Sequence, residues 1–539
     1  MLLSGTKTHF NIYYWSLIIF AASLSLSRFA LTVAQIIMVL NWLSEGNFNT
    51  KFRILKSRKG IILVISIFLI HLIGLIYSED LSQGLHDIKI KLPLLAFPLI
   101  VGTSPALNNK QLKKLLLIFA AAVSISTFIS IGYFLGFPIH SIIKSVPEKF
   151  NDIREISIFI DHIRFSLLIN IAIFSLLYYL IFAGDKHKTI TILIYILIIG
   201  WLIVFLFILL SMTGLIVFLI SAFILFIYWI KKQKRRILRI SLFSILIIVP
   251  IIIISYLVSS VIKFYDVKKT DIQSLEKTTS QGNYYWHDLD NTQVENGSYV
   301  GLYICEKELI EEWEKISEFK YFSKDKKNQE IRYTLIRFLT SRGFRKDAEG
   351  VRKLTKDDIS LIEEGYANYI FKNKLSLKAK IYQIIWQLDV YNKGGNPSGH
   401  SVTQRIEYIK VASRIIKQNF WTGVGTGDLI NSYRIEYEKM DSTLDMNRRL
   451  RAHNQYLTFL AAFGIFGFLW IMYALIYPVV LERKSMNYFF VIYFIIAFLS
   501  MLNEDTIETQ AGASFFAFFY SLFLFGYKKE DTEQYQGHR

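Results

Sequence analysis

The stretch Arg451-Ala452-His453-Asn454-Gln455-Tyr456-Leu457 marks the point where a long hydrophilic segment ends and an apolar run begins. The run continues to about residue 481 and includes Gly464 and Gly467. A membrane helix that begins here carries two basic residues and an amide at the water boundary. Ionisable groups at the edge of an apolar helix are costly unless they are paired or used. The junction is therefore predicted to belong to a functional site.

The composition around this junction is that of a membrane protein. Of the 539 residues, 53% are hydrophobic and only 19% are charged, and the mean hydropathy is +0.36. Cys305 is the single cysteine, which excludes an intramolecular disulfide and any cysteine-rich metal or redox site. The formal net charge of +18 does not indicate a nucleic-acid partner, because much of the excess lies in short loops between apolar runs.

Twelve apolar runs are predicted to cross the membrane. A hydrocarbon core needs roughly 20 apolar residues for each helix. Helices are expected because unpaired backbone groups cannot face lipid. The predicted spans are 12–26, 28–44, 60–77, 87–102, 114–136, 165–183, 189–208, 210–230, 237–260, 453–481, 487–503 and 508–527.

The loop charges predict the orientation. Basic clusters follow the even-numbered spans, as in Lys231-Lys232-Gln233-Lys234-Arg235-Arg236, whereas the connections at Glu79-Asp80 and Glu504-Asp505 are acidic. The positive-inside rule then places both termini in the cytoplasm. The fold class is all-α and polytopic, in three parts. These are 1–260 with nine spans and an outer loop near 137–164, a large outer domain over 261–451, and 452–539 with three spans and a cytoplasmic tail.

The outer domain is predicted to be mainly helical. Its signals are apolar periodicity, one capping box and glycine-rich breaks. They predict helices over Lys307–Phe319 and Glu330–Ser341, a helix start at Thr355 with a stop at Gly365, a break over 392–399, a helix from about 400 to 419, and a turn-rich loop at Gly423-x-Gly425-x-Gly427.

Arg405 lies on the helix predicted after the break. It shares a stripe with Val402, Ile409, Ala412 and Ile416 that is otherwise apolar, so an inward-facing arginine is expected. The arginine either pairs with an acid of the same domain or forms an anion site, because a guanidinium fork suits phosphate.

His453 is predicted to share a stripe with Leu457, Leu460, Gly464 and Gly467, where the glycines would let a neighbouring helix approach. The imidazole then points into the bundle at its outer mouth. It is either a general base or a histidine hydrogen-bonded at a helix start.

Two further cations are predicted at the outer membrane boundary. Arg164 ends the first outer loop and is either functional or an interfacial arginine with Asp161 as its partner. Lys91 lies near the outer end of the fourth span, where it attracts phosphate or is placed by chance. The outer acids show no metal-ligand spacing. Ionisable residues are nearly absent from the middle of the spans, which argues against an ion-driven transporter.

Several motifs resemble those of the O-antigen ligase and O-antigen polymerase family of bacterial envelopes. The resemblance lies in their order along the chain and in their expected location on one side of the membrane. The motifs are His453-Asn454-x-Tyr456-Leu457, Gly464-x-x-Gly467, Gly423-x-Gly425-x-Gly427 and the helix that carries Arg405. The twelve-span topology with a large periplasmic domain before the histidine helix is similar too. One departure is Met212, which stands where family members often have an arginine in an outer Ser-Arg-x-Gly turn.

The resemblance implies a glycosyltransferase of the bacterial inner membrane that needs no cofactor or metal. The donor is a glycan on undecaprenyl diphosphate, and the acceptor is lipid A–core for a ligase or a growing glycan for a polymerase. Ligase activity is the expectation, polymerase the alternative, and a non-catalytic glycan exporter or membrane anchor the alternative of another class. His453 would serve the transfer and Arg405 and Arg164 would hold the diphosphate. Substrate-binding roles are expected for Asn454, Arg451, Tyr456, Gly425 and Lys91.

Overall fold

The structure is a computed structural model that describes residues 2–138, 156–182, 188–231, 235–267, 274–373, 376–484 and 487–528. Much of the predicted outer loop, at 139–155, and the tail after Lys528 lie outside these residues. The chain forms two compact units. One unit comprises the residues up to Lys231 together with those from Arg405 onward, and the other runs between them up to Gln404.

The first unit is built from helices that follow the predicted apolar runs. They are α1 Leu2–Leu26, α2 Arg28–Ser44, α3 Phe48–Ser57, α4 Lys59–Ile76, α5 Leu81–Thr103, α6 Asn109–Phe134, α7 His162–Leu177 with a π-helical end at Tyr178–Phe182, α8 Thr189–Ile208, α9 Met212–Lys231, α16 Ser401–Gln418 (which begins in the other unit), α17 Leu429–Lys439, α18 Gln455–Leu481, α19 Tyr488–Met501 and α20 Gln510–Leu524.

Seven helices of the described residues have the length and apolar composition to cross a membrane. The number rises to eight if α2 and α3, which are bent by 105° at their junction, form one broken span. The chain is therefore a multi-pass membrane protein, and the number of twelve spans stays a prediction. The seven segments are Lys59–Ile76, Asn109–Phe134, His162–Ile181, Thr189–Ile208, Met212–Lys231, Arg239–Tyr265 and Gln455–Leu481.

Aromatic packing sets the centre of this unit. Helix α20 packs against α5 and α19, and nearly all of its side chains are buried. The Phe519 ring stacks on Phe523 and makes an edge contact with Phe119 of α6. Helix α18 packs along α4, which in turn packs on α5. The C-terminal end of α4 and the N-terminal ends of α7, α18 and α20 carry the polar residues described below.

The second unit contains the long apolar helix α10 Arg236–Tyr265 and a small mixed domain. Its core surrounds the buried Trp313 and Phe338. The predicted helices are confirmed, including the capping box at Thr355 and a positive φ at Gly365. The elements are a hairpin of β1 Val294–Glu295 and β2 Ser298–Tyr299, then α11 Glu306–Ile316, α12 Ile331–Ser341, α13 Ala348–Arg352, α14 Lys356–Glu363 and α15 Leu377–Asn392.

Candidate functional site

His453 lies before helix α18, not on it. The helix begins at Gln455, and the Asn454 side chain caps it by accepting hydrogen bonds from the backbone N–H groups of Tyr456 and Leu457. His453 has a φ of 47°, in the left-handed region that side chains rarely adopt. The prediction that His453 begins a helical stripe is therefore wrong. His453 precedes the capping residue Asn454, so its side chain does not follow the period of the helix.

Gly464 and its surroundings also differ from the prediction. Its φ of 60° and ψ of −168° break helix α18, and an added Cβ would lie 2.3 Å from the carbonyl carbon of Trp421. The approaching element is thus a loop backbone and not a neighbouring helix. The loop is held at this break by a hydrogen bond from the Ile465 N–H to the Phe420 carbonyl.

Gly425 lies in the same loop and has a structural environment. Its N–H donates to the carbonyl of Ala462, and an added Cβ would lie 2.5 Å from the Ser78 hydroxyl oxygen. Its φ of 91° favours glycine. The loop from Phe420 to Asp428 therefore joins α18 to the α4–α5 connection, and the substrate-binding role of Gly425 stays a prediction.

Helix α16 presents Arg405 on the flank of its buried face. The buried side of this unit's part of the helix consists of Tyr408, Val411, Ala412 and Ile415, whereas Ile409 is 43% exposed. The predicted stripe through Ile409 was therefore rotated from the true one. Within the described part of the chain, the Arg405 guanidinium has no ion-pair partner, so its inward pairing with an acid is not observed.

Glu504 brings the three predicted catalytic residues together. Its Oε1 atom lies 3.6 Å from Nη2 of Arg164, and its Oε2 atom lies 3.9 Å from Nδ1 of His453. Arg405 is close enough to act electrostatically on Glu504 and on His453. Tyr408, one helical turn from Arg405, places its ring 5.6 Å from the His453 ring.

Two nitrogen atoms of this cluster are left unsatisfied. Nδ1 of His453 and Nε of Arg164 are buried and have no hydrogen-bond partner. Asp161, the alternative partner for Arg164, instead accepts from the Ile163 N–H at the start of α7. Buried donors without partners are uncommon in folded proteins and mark a place where a ligand can supply the missing acceptors.

The acidic residues come from the connection between α19 and α20, and they were not predicted as site residues. The buried acids there are Glu504, Asp505 and Glu508. The only sequence signal was three carboxylates within six residues between two apolar helices. That signal was used for orientation, although buried carboxylates are expensive and therefore deserve a functional explanation.

Burial and neighbouring charges shift the pKa values in this cluster. Burial raises the pKa of Glu504 to about 7, although Arg164 and Arg405 oppose this rise. Burial lowers the pKa of His453, and Arg405 and Arg451 lower it further. The pKa of Asp505 is raised by burial, while Thr458 donates a hydrogen bond of 2.7 Å to it. These shifts favour the neutral imidazole of His453 and the protonated carboxyl of Glu504.

A second cluster of charged residues surrounds Glu508. Its Oε2 atom lies 2.6 Å from Nζ of Lys91 and 3.1 Å from Nη1 of Arg451, and its Oε1 atom accepts from the Gln455 amide at 2.9 Å. Burial would raise the pKa of Glu508, but Lys91 and Arg451 lower it well below its usual value. Lys91 is 1% exposed. Lys91 and Arg451 thus both have a protein carboxylate as partner.

Asn454 and Tyr456, two more of the predicted binding residues, attach the start of α18 to the C-terminal end of α19. The Asn454 amide donates to the carbonyl of Leu502 at 2.9 Å, and the Tyr456 hydroxyl donates to that of Phe498 at 2.9 Å. Their contacts fix His453 against the connection that carries Glu504. Any contact with substrate stays a prediction.

Two apolar grooves open on the sides of this unit. One of about 260 Å³ lies between α2 and α5, and Gln35, Lys89 and Gln510 supply its polar lining. The second, of about 520 Å³, lies between α4 and α18 beside Trp421 and Phe466. The first groove is near the charged cluster, since Gln510 is two residues from Glu508 and an added Cβ on Gly512 would lie 3.1 Å from Nε of Arg164.

The cluster is suited to binding an anion and moving a proton. Two arginines and an imidazole surround one carboxylate at one end of the helices, near an apolar groove. Among the described residues, no three His, Cys, Asp or Glu side chains are grouped as metal ligands. Arg405 and Arg164 are the groups available to neutralise a phosphate.

A comparison with known protein families matches one part of the chain. Residues 366–472 match the family model described as O-antigen ligase. The match includes Arg405, the glycine loop, His453 and the break at Gly464. No curated protein matches the chain. Residues 366–472 of this multi-pass membrane protein are therefore similar to the O-antigen ligase family.

Proposed function

We propose that the chain transfers a glycan from undecaprenyl diphosphate to an acceptor hydroxyl at the periplasmic face of the bacterial inner membrane. The preferred acceptor is lipid A–core, which makes the protein a ligase. The observation that carries the proposal is the convergence of Arg164, Arg405 and His453 around Glu504. The family match over residues 366–472 supports the same class of reaction.

In this reaction, the acceptor oxygen attacks the anomeric carbon of the glycan while the bond from that carbon to the diphosphate oxygen breaks. The leaving electron pair stays on the diphosphate, whose growing charge Arg405 and Arg164 neutralise. Fixed cations aimed at a developing charge are among the strongest contributions to catalysis. The unsatisfied Nε atom of Arg164 offers one donor for this purpose.

His453 accepts the proton of the acceptor hydroxyl. Its lowered pKa keeps the ring neutral and able to act as a base near pH 7. The imidazolium that forms lies 3.9 Å from the Glu504 carboxylate, which stabilises it. A single attack of this kind inverts the anomeric configuration.

The polyprenyl chain occupies the groove between α2 and α5. Its lining is apolar except at Lys89 and Gln35 and at Gln510, which lies two residues from Glu508. An isoprenoid that enters from the membrane would thereby bring its diphosphate toward Arg164. The cations Lys91 and Arg451 hold the cluster in place through Glu508.

One gel of envelope glycans tests this proposal. A deletion strain is complemented with the parent chain, His453→Ala, Arg405→Ala or the control Arg53→Ala, whose parent side chain is exposed on α3. A ligase predicts loss of all lipid A–attached chains with the first two variants and full glycan with the control. Survival of a single repeat unit would assign a polymerase. Full attachment by both inserted variants would contradict an enzymatic role.

A further inference from the structure

Helix α16 runs beside the outer part of α18 in the same direction. The Tyr408 ring is near His453, just before α18 begins, and twelve residues later the Phe420 carbonyl accepts from the Ile465 N–H. At about 1.5 Å per residue, Ile465 lies about 14 Å along α18 from the first turn of that helix, and Phe420 lies beside Ile465. The C-terminal half of α16 therefore descends alongside a membrane helix.

The length of α18 sets the depth of this descent. Gly464 divides this helix, and the 17 residues from Ile465 to Leu481 extend for about 26 Å, which is close to the roughly 30 Å thickness of a hydrocarbon core. With Glu482 and Arg483 at the inner end, the outer two turns of α18 rise above the hydrocarbon. The neighbouring half of α16 then lies at the depth of the lipid headgroups.

The face of α16 opposite its buried residues has the composition of a membrane interface. Ile406, Ile409, Lys410, Ser413, Arg414, Lys417 and Met440 line an open groove of about 440 Å³. Below it, Trp421 is 63% exposed and stacks on the exposed Phe466 of α18 at 5.5 Å. Aromatic rings at the boundary with cations above them are typical of interfacial segments.

The charges of this face complement a phosphate. Lys410 lies 3.0 Å from Glu407 and Arg414 lies 3.7 Å from Glu436, and both cations keep about half of their side-chain surface exposed. Lys417 adds a third cation on the same face. The residues that line the groove thus include three cations and no acid.

We propose that this groove binds the phosphate headgroup of an anionic membrane lipid, with its acyl chains along Trp421 and Phe466. The site is on the face of α16 opposite the buried residues Tyr408, Val411 and Ile415, and it does not depend on the proposed glycan transfer. By binding lipid, it would fix the depth of the helix that carries Arg405.

The first experiment measures the depth of α16 in lipid nanodiscs. Because Cys305 is buried, a thiol-reactive spin label on Ser413→Cys reports from this face, with the unsubstituted chain as the blank. A second label on Lys353→Cys, in the other unit, provides the water-exposed reference. The proposal expects the 413 label at headgroup depth. Collision with a water-soluble relaxing agent equal to that of the reference would overturn it.

The second experiment measures lipid binding by native mass spectrometry of the full chain. The probes are phosphatidylglycerol, phosphatidylcholine and inorganic phosphate. Each interfacial cation contributes about fivefold to anionic-lipid binding, so K410Q/R414Q/K417Q should bind phosphatidylglycerol more weakly by at least about tenfold. The control K315Q/K353Q/K372Q removes three comparably exposed, ion-paired lysines and should bind like the parent.

Three outcomes of the binding experiment would contradict the lipid site. Equal binding of phosphatidylglycerol by the parent and the groove variant would overturn the proposal. So would equal affinity for phosphatidylcholine, which lacks the net charge, or displacement of the lipid by inorganic phosphate at equal concentration, which would assign a free-phosphate site.

Discussion

Nδ1 of His453 lies 3.9 Å from Oε2 of Glu504, and both groups are mostly buried. Neither residue is in a helix, since His453 precedes α18 and Glu504 lies between α19 and α20. A base and a carboxylate at this separation divide a proton between them according to pH. Their relationship gives the first prediction.

The rate should depend on the ionisation of Glu504. With the proposed base neutral, kcat/KM should rise with pH as Glu504 ionises, with an apparent pKa of about 7. Below that pH the protonated carboxyl no longer stabilises the imidazolium. Glu504→Gln should lower the rate and remove this rise from the profile of a purified glycan-transfer assay. A rise of the same midpoint in the variant would assign it to another group.

The two arginines should not tolerate lysine. Arg405→Lys and Arg164→Lys keep the charge but lose the planar fork that binds two phosphate oxygens. We expect kcat/KM to fall by at least about tenfold for each, which corresponds to about 1.4 kcal/mol. Exposed Arg53 provides the matched control, and Arg53→Lys should leave the rate unchanged. Parent-like rates for both site variants would show that only positive charge is needed.

Lys91 is expected to contribute to stability. Glu508→Gln leaves the buried Lys91 without its carboxylate, and breaking a buried ion pair costs about 3–5 kcal/mol. The variant should unfold at a lower temperature in detergent, and the double variant Lys91→Met/Glu508→Gln should recover part of the loss. If Lys91→Met alone instead abolished donor binding without a change in thermal stability, the substrate-binding role predicted for it would be favoured.

Gly464 should be required for folding of the outer part of α18. In Gly464→Ala, the new Cβ would meet the Trp421 backbone at 2.3 Å, and the φ of 60° would be strained. We expect a lower yield of monodisperse protein and a lower melting temperature. Gly200→Ala in α8 is the control, because no atom lies within 4 Å of its added Cβ. Equal melting temperatures for the two variants would contradict the tight packing of this break.

Hydropathy and local signals predicted the long apolar helices and four of the polar ones, because these signals depend on neighbours in sequence, but α3, α15 and α17 were not predicted. The capping box at Thr355 and the break before Ser401 are examples. The sequence alone could not show which residues share a helix face with Arg405 or with His453. The rotation of α16 is decided by its packing, and the phase of α18 is set by the cap at Asn454.

The acidic part of the site was beyond sequence reasoning for a different reason. Glu504 and Glu508 meet their cations only through tertiary packing, since Lys91 precedes Glu508 by 417 residues. A short acidic loop between apolar helices is equally typical of plain solvent exposure. Only burial distinguishes the two, and burial is a property of the fold.

The loop from Phe420 to Asp428 ties distant parts of the chain into one unit. Its backbone bonds to Ala461 and Ala462 of α18 and to Gly74 of α4, and the Asp428 carboxylate accepts from the N–H groups of Glu79 and Asp80. A chimera that exchanges only residues 401–470 between homologues would separate the loop from Gly74, Glu79 and Asp80. The exchangeable cassette therefore includes the α4–α5 hairpin as well, and recombination designs should place their crossovers before α4 and after α5.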